Sequence, residues 1–189
     1  MGSAWRHFKT ITKHRHLVMK HCFQVGLYRR GLLHDLSKYS WTEFRAGIRY
    51  YQGTRSPNTA EREAMGYSLA WMHHKGRNRH HFEYWTDTQP DTKTYGPVPM
   101  PTEFLVEMVM DRIAACKVYK GPLYHDGSAL EYLDQARDSS LMHPETKRQL
   151  RFLLLMLRDR GEAETFRFIR QVVLRGLPFG EDAAPTPVT

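Results

Sequence analysis

The 189-residue chain lacks most of the features that mark exported, membrane-spanning or disulfide-stabilised proteins. It contains two cysteines, Cys22 and Cys116, which are too few for a disulfide framework and fall in amphipathic patterns. No apolar run approaches the roughly 18 residues of a membrane span, and the basic N-terminal segment has no apolar core of a signal peptide. We therefore expect a cytoplasmic protein with two buried thiols and no membrane segment.

Acidic residues are also scarce relative to basic ones. The chain has 20 Asp and Glu against 28 Lys and Arg, which gives a formal net charge of +8. A basic protein attracts the phosphates of nucleotides, nucleic acid or anionic lipid. A basic surface without any partner explains the same charge equally well, so the charge leaves both interpretations open.

Strand patterns are nearly absent, whereas helical periodicity recurs along the first half of the chain. Apolar residues at helical spacing predict helices over residues 8–25 and about 28–36. The sequence "SWTE" at 40–43 is typical of a capping box and predicts a helix ending near Gly53. Ser56 before Pro57 predicts the start of another helix, which extends to about Lys75.

The second half continues the helical pattern after one long irregular stretch, residues 76–100. We predict helix again from Pro101 to about Lys120, a capping box at "SALE" from Ser128, and a closing pair of helices around Gly161. The sequence thus predicts an all-α domain of about seven helices over residues 1–178, followed by a disordered tail over 179–189. Long irregular stretches in compact domains are often functional, which directs attention to 76–100.

Histidine is the abundant chemical group, with 11 residues in the chain. Three histidine-rich segments stand out: "HRHLVMKH" with His14, His16 and His21; the pair His34–Asp35; and "HHKGRNRHH", which carries His73, His74, His80 and His81. The neutral explanations are satisfied core histidines and a solvated basic loop. Several such segments in one chain favour a shared metal site over those explanations.

Asp111 is an isolated acid in the apolar helix "FLVEMVMDRIAACKVY". Its helical neighbours include Met108, Ala114 and Ala115, so its carboxylate is expected to be shielded from solvent. A buried carboxylate is costly unless it is paired with a cation or coordinates a metal. We favour a metal over an arginine partner because of the histidines elsewhere.

His34 and Asp35 lie among Leu32, Leu33 and Leu36, which predicts that this part of the chain packs inward. Neighbouring residues on a helix point about 100° apart, so two inward-facing polar residues in succession are unusual. As ligands they are readily explained, since an imidazole and a carboxylate can bind one metal or bridge two. Lys38, three residues after Asp35, is expected near the same centre, where its charge suits a phosphate oxygen.

These residues resemble the HD-domain superfamily of metal-dependent phosphohydrolases. "GLLHDLSK" is similar to the superfamily's "LLHD-x-GK" element, with Ser37 in place of glycine. "HRHLV" resembles its first-ligand helix, which selects His14, and "MDRIAACKVY" resembles the helix carrying its last aspartate, here Asp111. "HHKGRN" is similar to a segment of the HD-GYP phosphodiesterases, with Lys75 where those have Glu, but their "GYP" is missing.

A narrower resemblance covers about residues 8–170. A family of small bacterial and phage proteins of unknown function carries "RGLLHDLSKYS", "YYQG-x-RSPN", "HHKGRN-x-HH-x-EYW" and "DRIAA-x-K-x-Y" in this order. The resemblance implies an HD-like helical fold with one or two divalent transition ions, Fe, Mn, Zn, Ni or Co. Two of His73, His74, His80 and His81 are expected to face the metal, and the resemblance does not decide which. The candidate metal ligands are His14, His34, Asp35, His74, His81 and Asp111.

The leading hypothesis for function is a phosphohydrolase acting on a nucleotide or another phosphorylated small molecule. Asp35 and Lys38 are the candidate catalytic residues, and the candidate substrate-binding residues are Lys75, Arg77, Arg79 and His80. Tyr84 and Trp85 could stack on a base or serve as packing anchors. Two alternatives stay open: a non-catalytic basic module that binds nucleic acid and has a structural metal, and a diiron oxygenase on the same scaffold. The sequence gives no indication of the oligomeric state.

Overall fold

The computed structural model describes residues 2–135 and 141–180. Over these residues the chain forms eight α-helices and one two-stranded hairpin. The helices are α1 Ser3–Val25, α2 Tyr28–Leu33, α3 Trp41–Arg49, α4 Pro57–Met65, α5 Leu69–Lys75, α6 Thr102–Lys120, α7 Ser128–Gln135 and α8 Pro144–Gln171. The strands are β1 Thr86–Thr88 and β2 Tyr95–Pro97, paired antiparallel with Asp87 opposite Gly96. The mostly helical, single-domain fold predicted from the sequence is confirmed.

Helix α6 lies at the centre of the fold and packs against α1, α7 and α8. Its residues from Phe104 to Met110 are all buried, so it presents apolar side chains on every side rather than on one stripe. Leu150, Leu153, Leu154 and Leu157 of α8 pack into the same core. The core thus fixes α1 and α6 side by side, and the site described below takes one residue from α1 and two from α6.

Several predicted helix boundaries were wrong. Helix α2 ends at Leu33 instead of about residue 36, and a 3-10 helix, Leu36–Tyr39, follows it. The helix predicted to end near Gly53 ends at Arg49, and the segment 57–75 is two helices separated at Gly66, which has a left-handed φ of 82°. Glycine adopts this conformation without steric cost, which explains why the helix ends there.

The capping interactions also differ from prediction. Ser40 and Ser56 are the N-cap residues of α3 and α4, but neither side chain makes the capping hydrogen bond. The predicted role of Pro57 at the first helical position is confirmed. Helix α5 does have a side-chain cap, because the hydroxyl of Ser68 accepts a hydrogen bond from the amide of Trp71.

The irregular stretch 76–100 contains the hairpin and a 3-10 helix, Phe82–Tyr84. Helix α8 bends at Gly161, whose φ of 76° and ψ of 175° interrupt the helical conformation. The sequence predicted a pair of helices that meet around this residue. After α8, the ring of Phe179 contacts the rings of Phe152 and Phe168. The rest of the predicted tail, 181–189, lies outside the described residues.

The thiol of Cys22 is buried, as expected, whereas that of Cys116 is only partly buried. The two cysteines do not form a disulfide. Among the described residues, none of the helices has the length and apolar character needed to cross a membrane.

Candidate metal centre

Asp35 belongs to two groups of potential metal ligands. The first group is His14, His34, Asp35 and Asp111, and the second is Asp35, His74, His80 and His81. Within each group, one ligand atom from every residue lies within 4.8 Å of the others. These buried His and Asp groups could hold a metal ion, and the sharing of one aspartate allows two ions side by side.

The two oxygens of Asp35 face different groups. Oδ2 lies 3.6 Å from Nε2 of His14 and 3.3 Å from Nε2 of His34. Oδ1 lies 3.3 Å from Nε2 of His74 and 3.5 Å from Nε2 of His80. A carboxylate with this orientation has the geometry of a bridge between two centres.

The backbone explains how His34 and Asp35 both point inward. Helix α2 ends at Leu33, His34 is extended with φ −51° and ψ 127°, and Asp35 is left-handed with φ 55°. Aspartate tolerates this conformation better than most residues. The chain therefore turns sharply at the pair, and both side chains are only 1% exposed.

Helices α1 and α6 bring the next two ligands together. Nε2 of His14 lies 2.9 Å from Oδ1 of Asp111. Of the other two histidines in the α1 segment, His16 is exposed to solvent and His21 is buried elsewhere, against the ring of Phe166 and near Lys117. The structure thus places only His14 of this segment in the site.

Helix α5 and the loop after it supply the second group. His74 lies in the last turn of α5, and the rings of His80 and His81 are 4.1 Å apart after the loop returns. The Asn78 side-chain amide secures this return by donating to the carbonyl of His74 and to the hydroxyl of Ser37. His80, which the sequence suggested for substrate binding, is 1% exposed and lies among the potential ligands.

Two glutamates contact the Nδ1 atoms of the imidazoles, on the side that faces away from the centre. Oε1 of Glu107 lies 2.9 Å from Nδ1 of His34 and 3.2 Å from Nδ1 of His80. Glu43 likewise accepts from Nδ1 of His73 and of His74, both at 2.7 Å. Because Nδ1–H donates to a carboxylate, the Nε2 lone pairs of His34, His74 and His80 are directed at the centre.

Burial alone would raise the pKa of Glu43 and Glu107, but the imidazoles lower it overall. Hydrogen bonds from His74 to Glu43 and from His34 to Glu107 dominate this effect. Both glutamates are therefore ionised, as acceptors of two N–H groups should be. Glu107 also forms a potential ligand group with His34 and His80, yet its contact with both Nδ1 atoms makes it a support for the ligands.

Neither glutamate was predicted from the sequence to be part of the site. Glu107 carries a recognisable signal, since it lies four residues before Asp111 in an otherwise apolar part of α6 and is 5% exposed. A second acid on the same side of an apolar helix indicates a polar partner inside the core. Glu43 carries no such signal, because acidic residues are common in the first turn of exposed helices.

Several donor atoms of the centre lack hydrogen-bond partners. Among the described residues, such buried atoms include Nε2 of His34, His80 and His81 and Oδ1 of Asp35. Nε2 of His14 also lacks an aligned partner despite its proximity to Asp111. Buried polar groups are nearly always satisfied, so this concentration of unsatisfied nitrogen and oxygen atoms fits a cation bound between them.

The electrostatics of the centre favour charged carboxylates. Burial opposes ionisation of Asp35 and Asp111, but the cations around them hold the pKa of both well below the usual value. Nζ of Lys38 lies 2.6 Å from Oδ2 of Asp35, and this contact outweighs burial and raises the pKa of the lysine. Burial, with the neighbouring His80, lowers the pKa of His81 far enough to keep it neutral.

The loop cations suggested for substrate binding lie apart from these contacts. Arg77 is exposed and donates to the carbonyl of His73, and the guanidinium of Arg79 lies 5.6 Å from the centre of the Tyr84 ring. Lys75, at the end of α5, is half-buried. Only Lys38 of the predicted cations contacts Asp35, and its side chain is 27% exposed, so it connects the centre with solvent.

Trp85 is a packing anchor rather than an exposed platform for a base. Its ring packs on Phe104 with the centroids 5.3 Å apart, and its indole N–H donates to the carbonyl of Arg79. Tyr84 is more exposed and contacts the ring of Trp85 at its edge. The pair therefore helps to hold the returning loop against α6.

Comparison with known proteins identifies the family but no function. Residues 3–156 match the model of a family of unknown function, DUF5662, and the chain belongs to this family. No curated protein and no solved structure matches the chain.

Proposed function

We propose that the protein is a metal-dependent phosphohydrolase of the HD type, acting on a nucleotide or another phosphorylated small molecule. The observation that supports this proposal most directly is the position of Asp35, whose two oxygens face two groups of unsatisfied histidine nitrogens. Two adjacent cation sites sharing a carboxylate suit the displacement reactions of phosphate esters. The order of these residues along the chain, His, His-Asp, His, His, Asp, resembles that superfamily.

The proposed cofactor is one or two divalent transition ions among Fe, Mn, Zn, Ni and Co. Imidazole and carboxylate donors without thiolate favour these metals over a structural cysteine-bound zinc. His14, His34, Asp35 and Asp111 would hold one ion, and His74, His80 and His81 would hold a second together with Asp35. Such ions supply Lewis-acid polarisation of a phosphoryl oxygen and lower the pKa of water.

Lys38 is the residue of this chain best placed to act on the substrate. Its ammonium lies against Asp35 and keeps contact with solvent, so a phosphate entering from that side would meet it first. Once the charge of Asp35 is neutralised by cations, the ammonium is available to donate to a phosphoryl oxygen. Lys75, Arg77 and Arg79 would then act further out, by attracting the anionic substrate towards the site.

The two unbonded cysteines fit the cytoplasmic location expected for such an enzyme. Glu43 and Glu107 would fix the ring orientation of four histidines before any ligand arrives, which limits the reorganisation needed during turnover.

The test combines metal content with phosphate release. Untagged protein and the variant Asp35→Asn are purified without chelator, and bound metals are counted by elemental analysis. The variant Asp134→Asn is the control, because Asp134 is an exposed acid that pairs with Arg151 on the surface. We expect one or two transition ions per chain in the wild type and the control, and loss of at least one in Asp35→Asn.

The same three proteins are then screened for phosphate release from nucleotides and sugar phosphates. Turnover that needs the metal and disappears in Asp35→Asn would support the proposal. Absence of stoichiometric metal after incubation with Fe, Mn, Zn, Ni and Co would overturn it. Iron-dependent oxygen consumption without phosphate release would instead assign the centre to a diiron oxygenase.

A further inference from the structure

A second basic surface lies on helices α1 and α8, apart from the candidate metal centre. On α1 it comprises Arg6, Lys13, Lys20 and Gln24, all exposed. On and after α8 it comprises Arg167, Arg170 and Arg175, which line a groove of about 440 Å³ together with Gln24. We call these residues the α1–α8 ridge.

Helical geometry places the α1 members of the ridge in one row. Arg6, Lys13 and Lys20 are seven residues apart, which is close to two full turns, so their side chains leave the helix in nearly the same direction. The opposite side of α1 carries the buried residues Ile11, His14 and Val18. At 1.5 Å per residue, the row from Arg6 to Gln24 is about 27 Å long.

Gln24 joins the row to the arginine groove, since it belongs to both. The floor of the groove includes Phe166, which is 6% exposed and contacts the ring of His21. Arg167 and Arg170 are three residues apart on α8 and share a face, and Arg175 follows in the 3-10 helix Val173–Arg175. Three arginines therefore line one concave site.

The ridge has almost no acidic neighbours to neutralise it. The first acid of the chain is Asp35, so α1 and α2 contain no carboxylate at all. The nearby acids of α8 already have partners: Glu162 contacts Lys117, and Glu164 pairs with Arg160. None of the ridge cations forms an ion pair with a described acid.

The helix dipole explains only a small part of this arrangement. Cations near a helix C-terminus are stabilised by the dipole, which accounts for Arg170 in the last turn of α8. It does not account for Lys13 in the middle of α1 or for Arg6 near its N-terminus, where a cation is disfavoured. The helix dipole therefore leaves the row on α1 unexplained, and an external anion would account for it.

The dimensions of the ridge distinguish between anions. A free phosphate or a mononucleotide fills the groove but leaves the row on α1 unused. A nucleic-acid strand has a phosphate about every 3.4 Å in a duplex, so 27 Å corresponds to roughly eight phosphates. Guanidinium groups suit phosphodiesters because of their planar, bidentate geometry.

We propose that the α1–α8 ridge binds the phosphate backbone of a nucleic acid, with the arginine groove as its strongest contact. This inference does not depend on phosphohydrolase activity, because it involves none of the residues of the metal centre. If both proposals hold, the ridge would serve to keep the protein on a nucleic-acid strand.

The experiment measures binding of fluorescein-labelled 20-nucleotide DNA and RNA, single-stranded and duplex, by fluorescence anisotropy. The full-length protein is compared with the triple variant Arg167→Gln/Arg170→Gln/Arg175→Gln at several salt concentrations. The control is Arg45→Gln/Arg49→Gln/Lys93→Gln, which removes the same charge from exposed positions elsewhere. Thermal unfolding of each protein checks that it is folded.

We expect the groove variant to bind at least 10-fold more weakly in 50 mM salt and the control to bind within about two-fold of wild type. The plot of log affinity against log salt should lose roughly two to three units of slope in the groove variant. Should that variant fail to fold, Lys13→Gln/Lys20→Gln tests the row on α1, with an expected loss of about three-fold or more.

Equal losses in the groove variant and the control would overturn the proposal, since they would show binding to net charge alone. A loss confined to Arg77→Gln/Arg79→Gln would assign nucleic-acid binding to the loop instead. Absence of nucleic-acid binding together with sedimentation on phosphatidylserine vesicles would identify a membrane surface as the partner and would also overturn it.

Discussion

Oε1 of Glu107 lies 2.9 Å from Nδ1 of His34, and this contact joins the centre of the hydrophobic core to the candidate metal centre. Glu107 is one turn before Asp111 on α6, so the same helix supplies one potential ligand and the support for two others. A buried carboxylate in this position is stable only because two imidazole N–H groups donate to it. The relationship leads to the first prediction.

Glu107→Gln should weaken metal binding about 10- to 100-fold, because a neutral amide oxygen accepts from the two imidazoles more weakly than an ionised carboxylate does. Isothermal titration with Zn²⁺ or Mn²⁺ measures the change. Glu103→Gln is the matched control, since Glu103 lies on the same helix but is paired with Arg30 at the surface. Unchanged affinity in Glu107→Gln would show that the glutamate does not orient the ligands.

Lys38→Met should destabilise the metal-free protein by roughly 2–3 kcal/mol, because it leaves the buried Asp35 carboxylate without its lysine partner. A divalent metal ion should restore more stability to the variant than to the wild type, since it replaces the missing positive charge. Urea unfolding with and without metal measures both effects. Lys120→Met, which breaks the exposed pair with Glu131, should cost less than about 1 kcal/mol. Equal metal stabilisation of wild type and Lys38→Met would contradict the prediction.

Gly47→Ala should destabilise the protein by about 1–3 kcal/mol, although alanine is the better helix former. A Cβ at Gly47 would lie 2.0 Å from Nε2 of His7, so α1 and α3 could not pack as closely. Because α3 carries Glu43, the shift should also reduce metal affinity at the His74 group. Gly2→Ala is the control, since its added Cβ meets no atom within 4 Å. Thermal unfolding and metal titration would show no change in either variant if the close approach is unimportant.

Stability should fall as the pH decreases from about 6.5 towards 4, in part because of His21. Burial, with the nearby charge of Lys117, lowers the pKa of His21 to about 4. As the pH falls, the unfolded chain therefore binds a proton at His21 before the folded protein does. The stability that the neutral ring contributes to the fold is complete above pH 6.5 and is lost as the pH falls towards 4. Between pH 7.5 and 5 this group accounts for about 2 kcal/mol.

The measurement is urea unfolding at pH 7.5 and 5 for wild type and His21→Phe. The variant should lose about 2 kcal/mol less than wild type over this interval, because it has no ring to protonate. His16→Gln, at an exposed position of the same helix, should keep the wild-type dependence. An unchanged pH dependence in His21→Phe would show that folding does not lower the pKa of His21.

The helical class of the fold could be predicted from local pattern alone, since α1 and α8 follow the spacing of their apolar residues and α6 is a long apolar segment without strand signals. The boundaries near Leu33 and Gly66 could not, because they depend on conformations of single residues that spacing does not report. Asp35 is the clearest case. The left-handed backbone conformation of Asp35 turns the chain away from the axis of α2. The consecutive side chains of His34 and Asp35 can therefore both face the core.

The sequence by itself determined which residue types were available to bind a metal, because imidazole and carboxylate groups have that chemistry wherever they lie. It also determined that Asp111 belongs in apolar surroundings, where a carboxylate needs a partner. The same expectation for His34 and Asp35 was based on Leu32, Leu33 and Leu36, and these leucines are about half exposed. Only the tertiary structure decided that His14 joins His34, Asp35 and Asp111 while His16 and His21 do not, and that Glu43 and Glu107 hold four imidazoles in place. These outcomes depend on how α1, α3 and α6 pack, and packing brings together residues as far apart in the sequence as His14 and Asp111, which no local pattern connects.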